Sequence, residues 1–204
     1  MLRPQRKKKY LDYSLAGLAA ALFIFNGFIG VTEAASKTIP HENPCERHMM
    51  RASKAHKVPI GMLYAVGLTE TGRAGSLQPF ALNIEGEAFY GLTLDDALQR
   101  FEAARRTGAK LIDLGCMQIN HHFHGTEFSS VKEMLDPAKN VDYAARFLKE
   151  LRAREGNWTL AVARYHAGPD NHPAQKRYIC RVIRNMIATG FGAWTPEAKR
   201  FCGP

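Results

Sequence analysis

The chain has 204 residues, of which 46% are hydrophobic, enough for one well-packed domain and too few for two large ones. Its 28 basic and 19 acidic side chains leave a formal charge of +9, a balance that suits adhesion to an anionic polymer. Nucleic acid is a poor fit, because the chain opens on an export pattern and carries no motif of a nucleic-acid module.

That pattern is a basic stretch, "MLRPQRKKKYLDYS", then an uncharged apolar run of 17 residues at 15–31, then the small residues of "TEAAS". Thr32 and Ala34 occupy the −3 and −1 places of a signal-peptide cleavage site, and the length of the run also fits an uncleaved membrane anchor. Residues 1–34 are therefore read as signal or anchor, with the folded part outside the cytoplasm. Without Arg3, Arg6, Lys7, Lys8, Lys9, Asp12 and Glu33 the formal charge falls to +6. Cys45, Cys116, Cys180 and Cys202 all lie beyond this segment, and an even count in an oxidising compartment implies two disulfides. No C-x-x-C spacing suggests metal or redox use. Of the three connectivities, Cys45 with Cys202, clamping the ends, and Cys116 with Cys180 are the expected pairs.

Residues 35–42, "ASKTIPHE", read as a linker, and one domain follows over 43–204. Its first helix starts at Asn43 as cap with Pro44 in the first helical position, and Cys45, Met49, Ala52 and Ala55 form an inward stripe. Pro59 separates it from a second apolar helix that ends in "YAVGLTETG". In "SLQPFALNIEGEAFYG" two apolar runs flank "IEGE", the pattern of a β-hairpin. Thr93 caps a helix over 93–106, with Leu94, Leu98 and Phe101 inward, and Gly108 stops it. Three more helices are expected at 141–155, 158–166 and 175–189, punctuated by Asn140, Gly156, Gly168 and Gly190. Helix dominates, so the expected class is α+β, mainly α, with a small hairpin inserted after the second helix.

Three stretches carry chemistry. In the second helix Leu63, Val66 and Glu70 share one stripe, so Glu70 continues the apolar face at a helix C-terminus. Desolvation and the negative end of the helix dipole both favour its protonated form, which is what a general acid needs. In "DLGCMQIN" (113–120), Gly115 permits close backbone approach, Gln118 and Asn120 offer amides to a sugar, and Met117 and Ile119 face inward if the stretch is extended. In "ARYHAGP", Tyr165 and His166 end a helix where a phenol and an imidazole can position a carboxylic acid.

Taken in order, "ETG", "GCMQIN" and "ARYHAGP" resemble the E-S-G, G-x-M-Q-I-N and A-Y-N-A-G motifs of the lytic transglycosylases of the goose-type lysozyme-like superfamily. "YICRV" (178–182) is similar to that family's closing tyrosine helix, and the likeness runs from about Cys45 to Met186. The resemblance implies a lysozyme-like domain that cleaves peptidoglycan between N-acetylmuramic acid (MurNAc) and N-acetylglucosamine (GlcNAc), in the periplasm or envelope of a bacterium. It implies Glu70 as the single catalytic acid and Thr71, its neighbour in the motif, as a substrate contact. Met117, Gln118, Asn120 and Tyr178 would line the substrate groove, and Tyr165 would orient the acid. His166 stands where the family has asparagine and Arg164 where it has alanine, which changes fine substrate contacts. The glycan strand is the implied partner, and no cofactor is called for. A monomer is expected, serving an envelope-spanning secretion or motility apparatus.

A single acid suffices when the muramoyl 6-hydroxyl attacks internally and leaves a 1,6-anhydro sugar. "D-x-G-x-x-Q-I-N" also resembles the segment of animal lysozymes that holds their second carboxylate, so Asp113 is a candidate for a hydrolytic mechanism, or a turn residue only. A silent wall-binding protein is the reading from another class. "HHFH" (His121, His122, His124) lacks the further ligands of a zinc site and reads as a surface loop. "RRTGAK" and "KRYICRVIR" read as charged helix faces and, secondarily, as contacts to peptide stems or wall polymers.

Overall fold

A computed structural model describes residues 43–168 and 170–203. The expected signal or anchor and the linker lie outside the described residues. Helix α1 (Pro44–His56) begins as its sequence directs, with the Asn43 side chain accepting from the Cys45 N–H and Pro44 at the first position. Cys45, Met49 and Ala52 are buried, whereas Ala55 faces solvent near the helix end. Helix α2 (Ile60–Thr71) buries Gly61, Leu63, Ala65, Val66, Gly67 and Thr71, residues on nearly every side of its axis, as a central helix must.

The hairpin forms as β1 (Ala81–Ile84) and β2 (Glu87–Tyr90), but it is half of a larger sheet. Helix α3 (Leu94–Arg106) follows, capped by a reciprocal Thr93–Asp96 box. The chain then returns as β3 (Ile112–Leu114) and β4 (Ile119–Asn120) to give an antiparallel sheet in the order β2-β1-β3-β4. "DLGCMQIN" is thus a tight β3–β4 hairpin rather than one extended strand. Gly115 (φ 77°) and Gln118 (φ 48°) supply its left-handed corners, and the hairpin still buries Met117 and Ile119.

"HHFH" is a short helix, α4 (His121–His124), whose first amides are capped by Asn120, rather than a loop. Helix α5 (Val131–Leu135) has no counterpart among the expected elements, and α6 (Pro137–Glu155) starts a turn earlier than expected because Asp136 is its cap and Pro137 its first residue. Asn140 is therefore inside the helix and buried. Helices α7 (Trp158–His166) and α8 (His172–Ala188) match the expected spans closely, α8 beginning earlier under an Asn171 cap. A last helix, α9 (Pro196–Cys202), packs on α8.

The core lies between α1, α2, α6 and the inner face of the sheet, with Met49, Leu63, Leu82, Ile112, Leu114, Met117 and Leu148 wholly enclosed. Pairings of α1 with α6, α2 with α8, and α7 with both α6 and α8 hold the bundle. The disulfides differ from the expected pairing: Cys45 bonds Cys116 and Cys180 bonds Cys202. The reason is topological. Helix α1 lies behind the β3–β4 turn, and α9 folds back along α8, so each cysteine meets a partner other than the one at the opposite end of the domain. The result is a mainly helical α+β domain. No helix among the described residues is long and apolar enough to cross a membrane.

Candidate active site

A cleft of about 390 Å³ opens between the sheet and the helices, and Glu70, Asp113, Gln118, Asn120, Tyr165 and His166 all line it. Glu70 reaches it from the last turn of α2, which stops where the Gly72 N–H returns to the Leu68 carbonyl at 3.0 Å. A Cβ at Gly72 would lie 2.3 Å from that carbonyl oxygen, so the stop requires glycine. Burial pushes the Glu70 carboxyl up to about 7, and the nearby Asp113 charge adds to the rise. A hydrogen bond donated by the Tyr178 hydroxyl, at 2.5 Å, and the Arg181 guanidinium pull the other way. Near neutral pH this carboxyl can therefore both give and take a proton.

Tyr178 comes from α8, which packs along α2. It is 1% exposed and does not line the cleft, so the expected substrate contact is instead a buried brace behind the acid. The His166 ring stacks on it, 4.2 Å between centroids and 3° from parallel. Tyr165, expected to orient the acid, donates to the Met117 carbonyl at 2.8 Å and so ties α7 to the β3–β4 turn. Burial first, then the Glu70 charge, holds both phenols well above their ordinary range, which keeps them as donors.

Two other expected substrate contacts are closed off. Met117 is 0% exposed in the core and does not line the cleft, and its carbonyl is taken up by the Tyr165 hydroxyl. Thr71, one residue on from Glu70, is turned by about 100° on the helix into the interior. There its hydroxyl donates to the carbonyls of Gly67 and Cys116, at 3.2 and 3.1 Å, pinning α2 to the disulfide-bonded turn.

The sheet supplies the opposite wall. Register places Asn83 across from Asp113 and Asp113 across from Asn120, so three polar side chains stand abreast on one face, all lining the cleft. Asp113 accepts from the Asn120 amide at 2.7 Å, while the Asn120 oxygen caps α4 through the N–H groups of His122 and Phe123. Burial raises the Asp113 carboxyl, against the pull of that amide. Gln118 spends its amide donors on the carbonyls of Ala81 and Gly115, leaving its oxygen as the acceptor for a ligand. Behind this wall Asn140 is fully committed. It donates to the Leu114 and Met134 carbonyls and accepts from the Met117 N–H, each at 2.8 Å.

Phe123 and His124 of "HHFH" and Arg181 of "YICRV" also line the cleft, as do Asn83 and Phe147, which no motif brings to notice. Phe123 carries a readable signal, an aromatic on a polar histidine run, and is 68% exposed at the rim. Asn83 and Phe147 depend on strand register and helix packing that no local pattern encodes. Among the described residues no group of three or more His, Cys, Asp or Glu side chains is placed to hold a metal.

The family model described as Transglycosylase SLT domain matches residues 49–181, which take in both walls of the cleft. No curated protein and no solved structure matches the chain. With well over half its length matched and a helical domain closing on a small sheet around a desolvated glutamate, the chain belongs to the Transglycosylase SLT domain family, lysozyme-like enzymes that cleave the glycan of peptidoglycan.

Proposed function

We propose that the protein cleaves the β-1,4 bond between MurNAc and GlcNAc by transglycosylation, with Glu70 serving first as acid and then as base. The protonated Glu70 gives its proton to the glycosidic oxygen, the bond to the muramoyl C1 breaks, and an oxocarbenium-like sugar remains. The carboxylate then takes the proton of the muramoyl 6-hydroxyl as that oxygen closes on C1. The products are a free 4-hydroxyl and a 1,6-anhydro-MurNAc end, no water is consumed, and Glu70 returns to its starting state. Internal attack brings the nucleophile at high effective concentration, which replaces the second carboxylate.

The observation that carries this reading is a single glutamate held near pH 7 by burial, facing the cleft with a phenol donating to it from behind. Tyr178 sets its position. Gln118, Asn120 and His166 are read as the polar groups along the glycan. Asp113 favours a second reading, hydrolysis, because it lines the same cleft. Against a nucleophile's role, one of its carboxylate oxygens is already bonded to the Asn120 amide, and burial raises the carboxyl, which disfavours the ionised form that attack requires. We place the enzyme in the bacterial envelope, outside the cytoplasm, opening the wall locally for an envelope-spanning apparatus.

Purified sacculi test these statements together. Wild type should release muropeptides lighter by one water than hydrolytic products, and Glu70→Gln should lower turnover by about a hundredfold or more while keeping the fold. Asp113→Asn should slow release and leave the anhydro product unchanged. Reducing, water-added ends as the main wild-type product would establish the hydrolase instead, and near-normal turnover by Glu70→Gln would remove the assignment altogether.

A further inference from the structure

Beside the catalytic cleft lies a larger open cavity of about 630 Å³ along α8, and four cations line it: Lys176, Arg177, Arg181 and Arg184. No acidic side chain is among its lining residues, and among the described residues none of the four forms an ion pair. Lys176 lies over the Phe201 ring at 5.4 Å and Arg181 over the Tyr178 ring at 5.8 Å, contacts that do not neutralise either charge. All four side chains are exposed. Arg177, Arg181 and Arg184 follow one another at i, i+4 and i+7, which puts like charges on one helix face. Such pairs each weaken a helix by about 0.2–0.5 kcal/mol, so local stability does not account for the stripe.

The stripe is continuous with the active site, because His166 and Arg181 line both cavities. A glycan strand lying in the cleft therefore passes along the mouth of this shelf. The sugars themselves offer it no charge. The anionic groups such a strand carries off its axis are the carboxylates of the peptides attached through the lactyl ether of MurNAc. On the reading that the cleft takes glycan, we propose that the α8 shelf is a binding site for the peptide stem, in which Arg177, Arg184 and Lys176 engage its carboxylates and Arg181 joins the two subsites. The Cys180–Cys202 disulfide lies in the wall of this shelf and fixes α9 beside it. The enzyme then selects strands whose peptides are intact over strands already stripped.

The test compares wild type with the double variant Arg177→Gln/Arg184→Gln on glycan strands bearing peptides and on the same strands freed of peptide by an amidase. Removing two exposed charges that meet carboxylates should raise KM about tenfold on peptide-bearing strands, with kcat unchanged and KM on stripped strands unchanged. The difference between the proteins should vanish at high salt. An equal loss on both substrates, or none on either, overturns the shelf as a peptide site; an equal loss would assign the cations to the glycan or to another wall polymer. Cosedimentation of the Glu70→Gln protein with intact and amidase-treated sacculi gives an independent reading without turnover. Binding that depends on both the arginines and the peptides supports the shelf even if the wild type cleaves neither substrate, a result that would remove the cleavage reading alone.

Discussion

At Glu70 two opposed effects meet, burial raising the carboxyl to about 7 and the Tyr178 hydroxyl and Arg181 charge lowering it, and burial wins. On the proposed mechanism the first step needs the protonated form, so cleavage should fall as pH rises through about 7. Tyr178→Phe removes a hydrogen bond that favours the carboxylate, so the alkaline limb of the rate profile should move to higher pH while the plateau drops for want of positioning. An unmoved limb would mean that the phenol does not act on this acid. The same shift has a stability consequence. Between 4.5 and about 7 the folded protein keeps a proton that the unfolded chain has lost, so folding stability should decline across that window and level off above it. The full cost is on the order of 3 kcal/mol. Glu70→Gln should abolish this decline, so the variant should melt above wild type at pH 8 and near it at pH 4. Thermal unfolding over that pH range checks the sign without any substrate.

The β3–β4 turn owes its shape to a residue 25 positions further on, since Asn140 on α6 satisfies three backbone groups of Leu114, Met117 and Met134 that would otherwise be buried unpaired. Gly115 makes that approach feasible: a Cβ there would stand 2.7 Å from the Asn140 amide nitrogen, on a backbone at φ 77° that disfavours any other residue. Asn140→Ala should therefore cost about 2–4 kcal/mol, by leaving buried donors and acceptors unmatched, and should lower cleavage because Gln118 and Tyr165 both hang on the same turn. Urea melts and sacculus turnover measure the two losses. This element also shows where the sequence is readable. Helices α1, α3 and α7 announce themselves through local caps and periodicity, as does the hairpin of β1 and β2, and the motif order brings Glu70, Gln118 and His166 to notice. Asn140 reads locally as a helix cap, because its partners are long-range. Thr71 looks like a groove residue because it sits inside a motif, yet helix rotation sends its side chain into the core; Met117 is matched to the groove by its motif, yet it lies in the β3–β4 turn with its side chain inward, as its place in "DLGCMQIN" suggests.

Across the whole molecule the two disulfides divide the labour, one behind the cleft and one beside the shelf. Cys45–Cys116 spans 71 positions and ties α1 to the turn whose Cys116 carbonyl receives the Thr71 hydroxyl, so it braces the acid's helix and the opposite wall together. Cys180–Cys202 spans 22 positions and holds only α9 to α8. On loop-closure entropy the longer link is worth about 4 kcal/mol and the shorter about 3. Loss of the first also loosens buried packing around residues that are 0% exposed, Cys45, Met49 and Met117 among them. The paired variant Cys45→Ala/Cys116→Ala should therefore melt well below Cys180→Ala/Cys202→Ala, and by more than the entropy difference alone. Peptide mapping of the oxidised, non-reduced protein should recover a fragment joining 45 to 116 and another joining 180 to 202. A fragment joining 45 to 202 would mean that α9 packs against α1 instead of α8, and with it the basic shelf would lose the wall that Cys202 gives it.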